Sequence, residues 1–337
     1  MKKIAILGAG SWGTALSKLL AGNGYAISLW SNEPAQINAL VKDKENKRFL
    51  PGIILPTTIT PEKDLAKAID SAIMVVLAVP SQAIRSVAVE VAKLELPTDL
   101  IILSVAKGFE NKTYLRMSQV IEGELPKQPV AVLSGPSHAE EVAQNMPTAV
   151  VVTAKDIKIA QQVQDIFMSP NFRVYTNNDV IGVEVAGSTK NVIALCVGIL
   201  DGMGMGDNVK AAIITRGLAE ITRLGMAMGA DAHTFAGLAG VGDLVVTCNS
   251  KHSRNRRVGL ALGKGEKLAE ILAGMDMVAE GVAATQNCYA LAAAYNVELP
   301  IIYQTYQILF NDVKPKEAIA QLMTRDKTSE HMLSGSE

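Results

Sequence analysis

The fold is decided by a stretch near the start of the chain, Ile4-Ala5-Ile6-Leu7-Gly8-Ala9-Gly10-Ser11-Trp12-Gly13. Its first four residues are apolar and predict a β-strand, and the small and apolar residues of 13–23 predict a helix. The pattern G-x-G-x-x-G stands between them. In a strand–turn–helix context, this pattern indicates a turn that holds the pyrophosphate of a dinucleotide at a helix N-terminus.

Each glycine of the pattern has its own physical task. Gly8 permits a tight turn, Gly10 lets the backbone approach a pyrophosphate, and Gly13 allows the helix to pack closely on the strand. A glycine-rich turn that binds no ligand is the alternative interpretation of the same residues.

The loop after the second predicted strand, 26–30, leaves the choice of cofactor open. In such folds an acid about 20 residues after the glycines binds the ribose of NAD, and an arginine accommodates the phosphate of NADP. Here the loop reads Ser31-Asn32-Glu33, and no arginine stands in it. Asn32 is neutral and can hydrogen-bond either group, so we expect NADH or NADPH to be accepted.

The first half of the chain alternates strands with helices. Helical segments, for example 82–93, fit between nearly all-apolar runs, which are typical of strands buried on both faces of a parallel sheet. The runs lie at 26–30, 72–79, 100–105, 130–133 and 149–153. This alternation predicts right-handed βαβ units and a doubly wound sheet.

The second half changes character near residues 180 to 190. Long segments rich in Ala, Leu, Met and Gly predict helices at 183–199, 208–228, 257–262, 266–272, 281–295 and 315–322. Glycine-rich loops are predicted at 202–206 and 237–242. We therefore predict an α/β N-terminal domain with a Rossmann-type doubly wound sheet over residues 1–185. An all-α C-terminal domain over residues 186–337 would bind substrate and carry catalysis.

Composition excludes several classes of protein. The 337 residues suggest two domains at about 150 residues each. A formal net charge of −1 argues against electrostatic binding of nucleic acid or an anionic membrane by the chain as a whole. The three cysteines are scattered and the four histidines form no i,i+4 pair, so we expect neither a disulfide framework nor a metal site.

Localisation is predicted from the same composition. No uninterrupted apolar run approaches the ~20 residues of a membrane span. The apolar residues after Met1-Lys2-Lys3 stop at glycines, and we interpret them as a strand rather than a leader. We expect a cytoplasmic protein without membrane insertion and without a nucleic-acid partner.

Lys190 is the first candidate for a chemical role. Its neighbours are small or apolar and suggest a buried helix. An ammonium in such a helix is costly unless it is paired or catalytic. Burial can bring a lysine pKa from about 10.4 to ~7–8, the range of a general acid/base. The alternative is a lysine that extends from one face of the helix into solvent.

Two further groups of residues could hold an anion. Lys107 follows the strand predicted at 100–105, and Gly135 and Ser137 follow the next strand, where ligands of open α/β sheets bind. The segment 251–257 packs four Lys or Arg into seven residues, and arginine binds phosphate bidentately. Alternatively, Lys107 and the basic side chains of 251–257 could be ordinary solvated residues of the surface. A nucleic-acid patch would be more extended and interleaved with aromatic residues.

Taken together, these motifs resemble bacterial NAD(P)-dependent glycerol-3-phosphate dehydrogenase. The resemblance runs from residue 4 to beyond Glu280. It rests on 8–15, Leu50-Pro51, Lys107-Gly108, Ser134-Gly135-Pro136, 190–194, 215–220, 240–244 and 253–257. The family reduces dihydroxyacetone phosphate, a phosphorylated small molecule, to sn-glycerol 3-phosphate with NADH or NADPH, and so supplies the phospholipid backbone. The family often forms dimers, so the resemblance implies a homodimer.

The resemblance also implies roles for particular residues. Lys190 is implied as the catalytic acid/base. The implied substrate site consists of Lys107, Gly135, Ser137, Lys190, Asp243, Ser253, Arg254 and Asn255. The cofactor site, with the glycines of the turn, consists of Gly8, Gly10, Ser11, Trp12, Gly13, Asn32, Lys107, Ala139, Arg254, Val278 and Glu280. Many members carry a basic residue where this chain has Asn32, which weakens the expectation of a preference for NADP.

Two other functions fit part of the sequence. A related β-hydroxyacid dehydrogenase would share the two-domain plan and the lysine, although the basic segment favours a phosphate over a carboxylate alone. A redox sensor that binds NAD(P)H without turnover would need only the glycine-rich turn. It would leave Lys190 and the basic segment unexplained.

Overall fold

The computed structural model describes residues 1–275, 279–327 and 329–330. The chain divides into an α/β unit, Met1–Lys107 with Leu115–Val180, and a helical unit, Gly108–Tyr114 with Ile181–Glu337. The predicted boundary at 185/186 lies five residues later than the division at 180/181. The short segment Gly108–Tyr114 was also expected in the first domain, but it packs with the helices.

The α/β unit contains one large sheet and one hairpin. The strands are β1 (Lys3–Leu7), β2 (Ala26–Trp30), β3 (Glu45–Asn46), β4 (Leu50–Ile54), β5 (Ile59–Glu62), β6 (Ala72–Leu77), β7 (Ile101–Ser104), β8 (Val130–Ser134), β9 (Thr148–Ala154) and β10 (Phe172–Asn177). The eight-stranded sheet has the order β10-β9-β8-β7-β6-β1-β2-β5, and β3 pairs with β4 in the hairpin.

The strand order confirms the predicted doubly wound sheet. From β5 through β2, β1, β6 and β7 to β8 the pairs are parallel, and their order is that of dinucleotide-binding folds. The order reverses between β1 and β6, so a ligand cleft is expected at their carboxyl ends. Buried apolar side chains cover both faces of this sheet.

Three features of the sheet were not predicted. β9 runs antiparallel to β8, whereas a wholly parallel sheet was expected. β5 contains Pro61, and β10 alternates buried and exposed residues, so neither presents a continuous apolar run. Both lie at the edges of the sheet, where a proline and a solvated face are tolerated.

Seven helices of the α/β unit connect these strands. They are α1 (Ser11–Gly22), α2 (Pro34–Asp43), α3 (Leu65–Ile69), α4 (Ile84–Ala92), α5 (Met117–Glu124), α6 (Ala139–Ala143) and α7 (Ile157–Phe167). A short 3-10 turn, Ser81–Ala83, precedes α4. The helix predicted at 13–23 is therefore α1, which begins two residues earlier at Ser11.

The described part of the helical unit contains helices and connecting segments only, as predicted. Its helices are α8 (Val180–Gly202), α9 (Asp207–Ala227), α10 (Ala232–Phe235), α11 (Asp243–Asn249), α12 (Arg254–Gly263), α13 (Leu268–Ala273), α14 (Glu280–Ala294), α15 (Pro300–Phe310) and α16 (Pro315–Met323). The predicted loop at 237–242 is instead mostly a π-helical turn, Leu238–Gly242, that leads into α11.

Helix α8 is the central helix of this unit. By length and composition it could cross a membrane, but 89% of its most apolar 18-residue window is buried inside the structure. Helices in the core of a protein can have the same length and the same apolar composition. Its burial gives it the character of a core helix.

Helices α8 and α12 approach each other backbone to backbone. A Cβ atom added to Gly259 would lie 2.0 Å from the carbonyl oxygen of Leu195, and one added to Gly263 would lie 2.2 Å from that of Ile199. From the other side, a Cβ on Gly198 would lie 2.1 Å from the carbonyl oxygen of Arg256. These glycines therefore fix the distance between the two helices.

Glu220 of α9 connects the two helices α9 and α15. Its carboxylate accepts hydrogen bonds from the backbone N–H groups of Ile301 (2.8 Å) and Ile302 (3.2 Å), in the first turn of α15. Burial raises the pKa of Glu220 to about 7, although these two donors favour the charged form. The capping group of α15 therefore comes from a distant part of the chain.

We predict that Gly259→Ala destabilises the protein by about 3 kcal/mol, the upper end of the usual cost of overpacking. The added methyl group would overlap a backbone carbonyl, which cannot rotate away. The matched control is Gly123→Ala in the exposed part of α5, where a Cβ meets nothing within 4 Å. This control should gain up to about 1 kcal/mol from helix propensity. Urea denaturation measures both, and equal effects would contradict the prediction.

Candidate active site

The glycine-rich turn after β1 can be built only with glycine at two positions. Gly8 has φ +118°, and a Cβ there would lie 2.7 Å from the backbone carbonyl of Ala78. A Cβ on Gly13 would lie 1.9 Å from the carbonyl oxygen of Gly8. The close approach of α1 to the end of β1 at Gly13 agrees with the role predicted for that glycine, and the turn also lies tightly against the end of β6.

Gly10 differs from these two glycines, because a Cβ there would meet nothing within 4 Å. The open space lies at the N-terminus of α1, and the Gly10 position supplies no side chain to cap that helix. Helix N-termini have unpaired N–H groups and a partial positive charge, which suit an anion. The residues present thus fit a dinucleotide pyrophosphate. Ser11 and Trp12, both predicted to contact the cofactor, begin α1.

The loop after β2 is connected to the glycine-rich turn by side chains that the sequence analysis missed. Gln36 and Asn46 both donate hydrogen bonds to the carbonyl oxygen of Ala9, at 2.6 and 2.8 Å. Ser31 donates to the Gln36 side chain at 2.7 Å. Asn32 is exposed in this loop. No spacing in the sequence connects these residues, so only the fold reveals the contacts.

The loop itself contains no arginine, but an arginine from another turn of the chain reaches it. Arg48, from the turn between β3 and β4, places Nη1 3.0 Å from Oε2 of Glu33. The residues that directly follow β2 give no sign of this cation, because the hairpin brings it from 15 positions further along the chain.

Three predicted substrate residues of the α/β unit lie together. Lys107 Nζ donates to the carbonyl oxygen of Gly135 at 3.0 Å, and Ser137 Oγ donates to the same oxygen at 3.1 Å. Gly135 has φ +125°, a conformation that favours glycine. Ala139 follows as the buried first residue of α6. The ends of β7 and β8 therefore bring a cation, a hydroxyl group and a glycine turn together.

Lys190 is buried in α8 and ion-paired, so it does not extend into solvent. Only 5% of the residue is exposed, and Nζ donates to Oδ1 of Asp243 and, at 2.6 Å, to Oγ1 of Thr247. Thr247 donates in turn to the backbone oxygen of Asp243, one turn earlier on α11. Helix α11 thus supplies both acceptors of the ammonium. The alternative of a solvated lysine is excluded.

Because both partners are buried, this ion pair strongly restricts the positions of the two side chains. Asp243 is 1% exposed, so neither charge is screened by water. Removing one partner of such a pair leaves the other as an uncompensated buried charge. Asp243 and Thr247 therefore fix the position of the Lys190 ammonium within the helical unit.

The start of α12 joins the same cluster through two asparagines. Asn255 Nδ2 donates to Oδ1 of Asn191, the neighbour of Lys190, at 2.9 Å. Its Oδ1 accepts from the backbone N–H of Gly281 at 2.8 Å. Ser253 caps α12 by accepting from the N–H of Arg256. Arg254, the first residue of α12, is half-buried beside them.

Known proteins resemble this chain along nearly its whole length. The family model described as NAD-dependent glycerol-3-phosphate dehydrogenase N-terminus matches residues 3–160, and the C-terminus model of that name matches residues 179–320. Glycerol-3-phosphate dehydrogenase [NAD(P)+] of Desulfitobacterium hafniense is 49% identical over 330 residues, covering 98% of this chain and 93% of that protein. The enzyme of that name from Enterococcus faecalis is 50% identical over 333 residues, covering 98% of each chain.

A solved structure gives the same result. The 2.1 Å crystal structure of glycerol-3-phosphate dehydrogenase from Coxiella burnetii has a TM-score of 0.93 and 40% identity, covering 96% of this chain and 99% of that one. The chain belongs to the NAD(P)-dependent glycerol-3-phosphate dehydrogenase family. The resemblance drawn from the sequence motifs is thereby confirmed.

Two further residues were predicted for the cofactor site, Val278 and Glu280. Glu280 is the half-buried first residue of α14, directly before Gly281. Val278 lies outside the described residues. Within the basic segment, Arg256 pairs with Asp201 (Nε to Oδ2, 2.7 Å) and so has a structural role, while Arg257 is exposed.

We predict that Lys190→Met destabilises the protein by about 3–5 kcal/mol, because the buried carboxylate of Asp243 loses the opposite charge that compensates it. The double variant Lys190→Met/Asp243→Asn should recover most of that loss, since it removes the second charge while keeping its shape. Urea denaturation of the wild type and the three variants, including Asp243→Asn alone, gives the coupling free energy. Purely additive effects would show that the two groups do not stabilise each other.

Proposed function

We propose that this protein catalyses the NAD(P)H-dependent reduction of dihydroxyacetone phosphate to sn-glycerol 3-phosphate, and the reverse oxidation. The observation that carries the proposal is the buried Lys190 ammonium, held by Asp243 and Thr247 in a chain of this family. The product is the backbone of glycerophospholipids, so the reaction feeds their synthesis.

Lys190 is the acid/base of this reaction. The reduced nicotinamide, when bound, supplies the hydride for C2 of the ketone. Negative charge then develops on the ketone oxygen, and the ammonium of Lys190 stabilises it and donates a proton to it. The resulting neutral amine takes up a proton again before the next turnover. In the oxidation the amine accepts the proton of the C2 hydroxyl group. Asp243 and Thr247 position Nζ throughout.

The phosphate of the substrate is assigned to the start of α12. Arg254 stands in the first turn of that helix, where N–H groups and the helix dipole favour an anion. A guanidinium holds phosphate in a fixed geometry, which orients the reacting carbon. Asn255 is fixed by Asn191 and Gly281, so it maintains the position of this helix start. Lys107, Gly135 and Ser137 are assigned to the substrate from the α/β unit.

The cellular setting completes the proposal. The net charge of −1 supports a protein without a nucleic-acid partner, and the burial of α8 supports one without membrane insertion. We assign the enzyme to the cytoplasm, where its cofactors and its phosphorylated substrate are found. The homodimer implied by the family resemblance is proposed as its oligomeric state.

The direct test is an absorbance assay of NADH or NADPH oxidation with dihydroxyacetone phosphate. We expect rapid oxidation by the wild type and a loss of at least about 10²-fold in kcat for Lys190→Met, the usual contribution of a general acid. NADH fluorescence should still report cofactor binding by that variant. The Lys190→Met/Asp243→Asn variant serves as a second test if the single variant unfolds. Full turnover by either variant would remove Lys190 from the mechanism.

If the wild type binds NADH without oxidising it, the substrate assignment fails. β-Keto acids then become the substrates to compare, since a β-hydroxyacid dehydrogenase would reduce them instead.

We predict that Arg254→Ala lowers kcat/KM for dihydroxyacetone phosphate by about 10²-fold, mainly through KM, because a charged hydrogen-bonding partner of the phosphate is lost. Arg257→Ala is the matched control, since it removes the same charge from the exposed face of the same helix. It should change kcat/KM by less than about twofold. Similar effects of the two substitutions would move the phosphate site elsewhere.

A further inference from the structure

The turn between β3 and β4 places a cation beside the carboxyl end of β2. Arg48 Nη1 lies 3.0 Å from Oε2 of Glu33, and the two side chains are 51% and 53% exposed. Glu33 directly precedes α2, so the carboxylate belongs to the loop that follows β2. A carboxylate and a guanidinium therefore lie side by side in the exposed loop after β2.

Buried hydrogen bonds hold this turn against the glycine-rich turn. Asn46 is 2% exposed, and its Nδ2 donates to the carbonyl oxygen of Ala9 at 2.8 Å and to Oγ1 of Thr14 at 2.7 Å. Its Oδ1 accepts from the N–H of Phe49 at 3.3 Å. Arg48 stands between these two anchored residues, so its place beside the nucleotide-binding turn is built into the fold.

Further contacts position Arg48 and Glu33 themselves. The guanidinium carbon of Arg48 lies 4.6 Å from the ring centroid of Phe49, so the ring supports its planar group. The backbone N–H of Glu33 donates to Oγ of Ser31 at 3.2 Å. The aromatic support reduces the freedom that the arginine would lose on binding an anion.

The position of this pair has a known chemical meaning in such sheets. The loop after the second strand contacts the ribose of the adenosine half of the cofactor. A carboxylate there accepts a hydrogen bond from a 2′-hydroxyl group and repels a 2′-phosphate, whereas an arginine binds the phosphate. This chain places both groups at that loop.

We propose that Arg48 is the residue that binds the 2′-phosphate of NADPH, and that it does so by exchanging Glu33 for the phosphate. With NADH, Glu33 stays paired with Arg48 and accepts the ribose 2′-hydroxyl. The inference rests on the dinucleotide use contained in the proposed function. It explains how a chain with an acid at position 33 and the neutral Asn32 accommodates NADPH.

The exchange is energetically accessible because the existing pair is exposed. Ion pairs between exposed side chains contribute little to stability, so breaking this one costs little. A phosphate monoester carries up to two negative charges and offers several acceptor oxygens to a guanidinium. Arg48 therefore gains more from the phosphate than it loses from Glu33.

The test measures binding directly, with adenosine 2′,5′-bisphosphate and adenosine 5′-monophosphate as probes in calorimetric titrations. Arg48→Ala should weaken binding of the bisphosphate by about tenfold and that of the monophosphate by less than about twofold. Lys47→Ala is the matched control, because Lys47 is an exposed cation of the same turn that pairs with Asp43 instead. It should change both affinities by less than about twofold.

Glu33→Gln provides an independent second variant. It removes the repelling carboxylate and frees Arg48, so the bisphosphate should bind about threefold more tightly. Steady-state kinetics should show the same split, with Arg48→Ala raising KM for NADPH about tenfold and leaving KM for NADH nearly unchanged.

The outcomes separate this inference from the function on which it rests. If the wild type turns over with both cofactors but Arg48→Ala weakens both probes equally, or no more than Lys47→Ala does, the assignment of Arg48 is overturned and the enzyme remains a dehydrogenase. If the wild type binds neither probe and oxidises neither cofactor, the proposed function is overturned, and this inference with it.

Discussion

A buried ammonium must be compensated, and much of the helical unit follows from that requirement at Lys190. Asp243 supplies the opposite charge and Thr247 a second acceptor, both from α11. The π-helical turn before α11 packs closely, since a Cβ on Gly240 would lie 2.0 Å from the carbonyl oxygen of Phe235. The position of α11 is therefore set both by charge pairing and by backbone packing, which makes the Lys190 amine part of the core.

The glycine contact between α8 and α12 fixes the start of α12, where we propose that the anion binds, relative to α8. One stripe of α8 carries Asn191 and Gly198, and the facing stripe of α12 carries Asn255 and Gly259. The distance that the glycines impose also brings the two asparagines into hydrogen-bonding range. The start of α12, with Arg254, is thereby held beside the middle of α8, next to Lys190. The same helix contact therefore stabilises the unit and places the residues that we propose to bind the substrate.

The sequence predicted those features that have a local cause. The glycine-rich turn and the buried parallel strands leave a signal within a few residues, whereas the neighbours of Lys190 left a buried and a solvated lysine as open alternatives. Contacts between residues that are distant in the chain leave no such signal in the sequence. Examples are the hydrogen bond from Asn46 to Ala9, the ion pair of Arg48 with Glu33, and the capping of α15 by Glu220. The reversed direction of β9 was also missed, because an apolar run has no intrinsic strand direction. The family resemblance supplied residue roles that spacing alone left open.

The three cysteines give the molecule an internal reporter. Burial raises the pKa of Cys196, Cys248 and Cys288 to about 12, so almost no thiolate forms at neutral pH. The thiols are therefore poor targets for oxidants and alkylating reagents in the folded state. All three belong to the helical unit. Cys248 and Cys288 are buried whereas Cys196 is partly exposed, so the labelling rate of the first two times the transient opening of that unit alone, and the sheet contributes nothing to the signal.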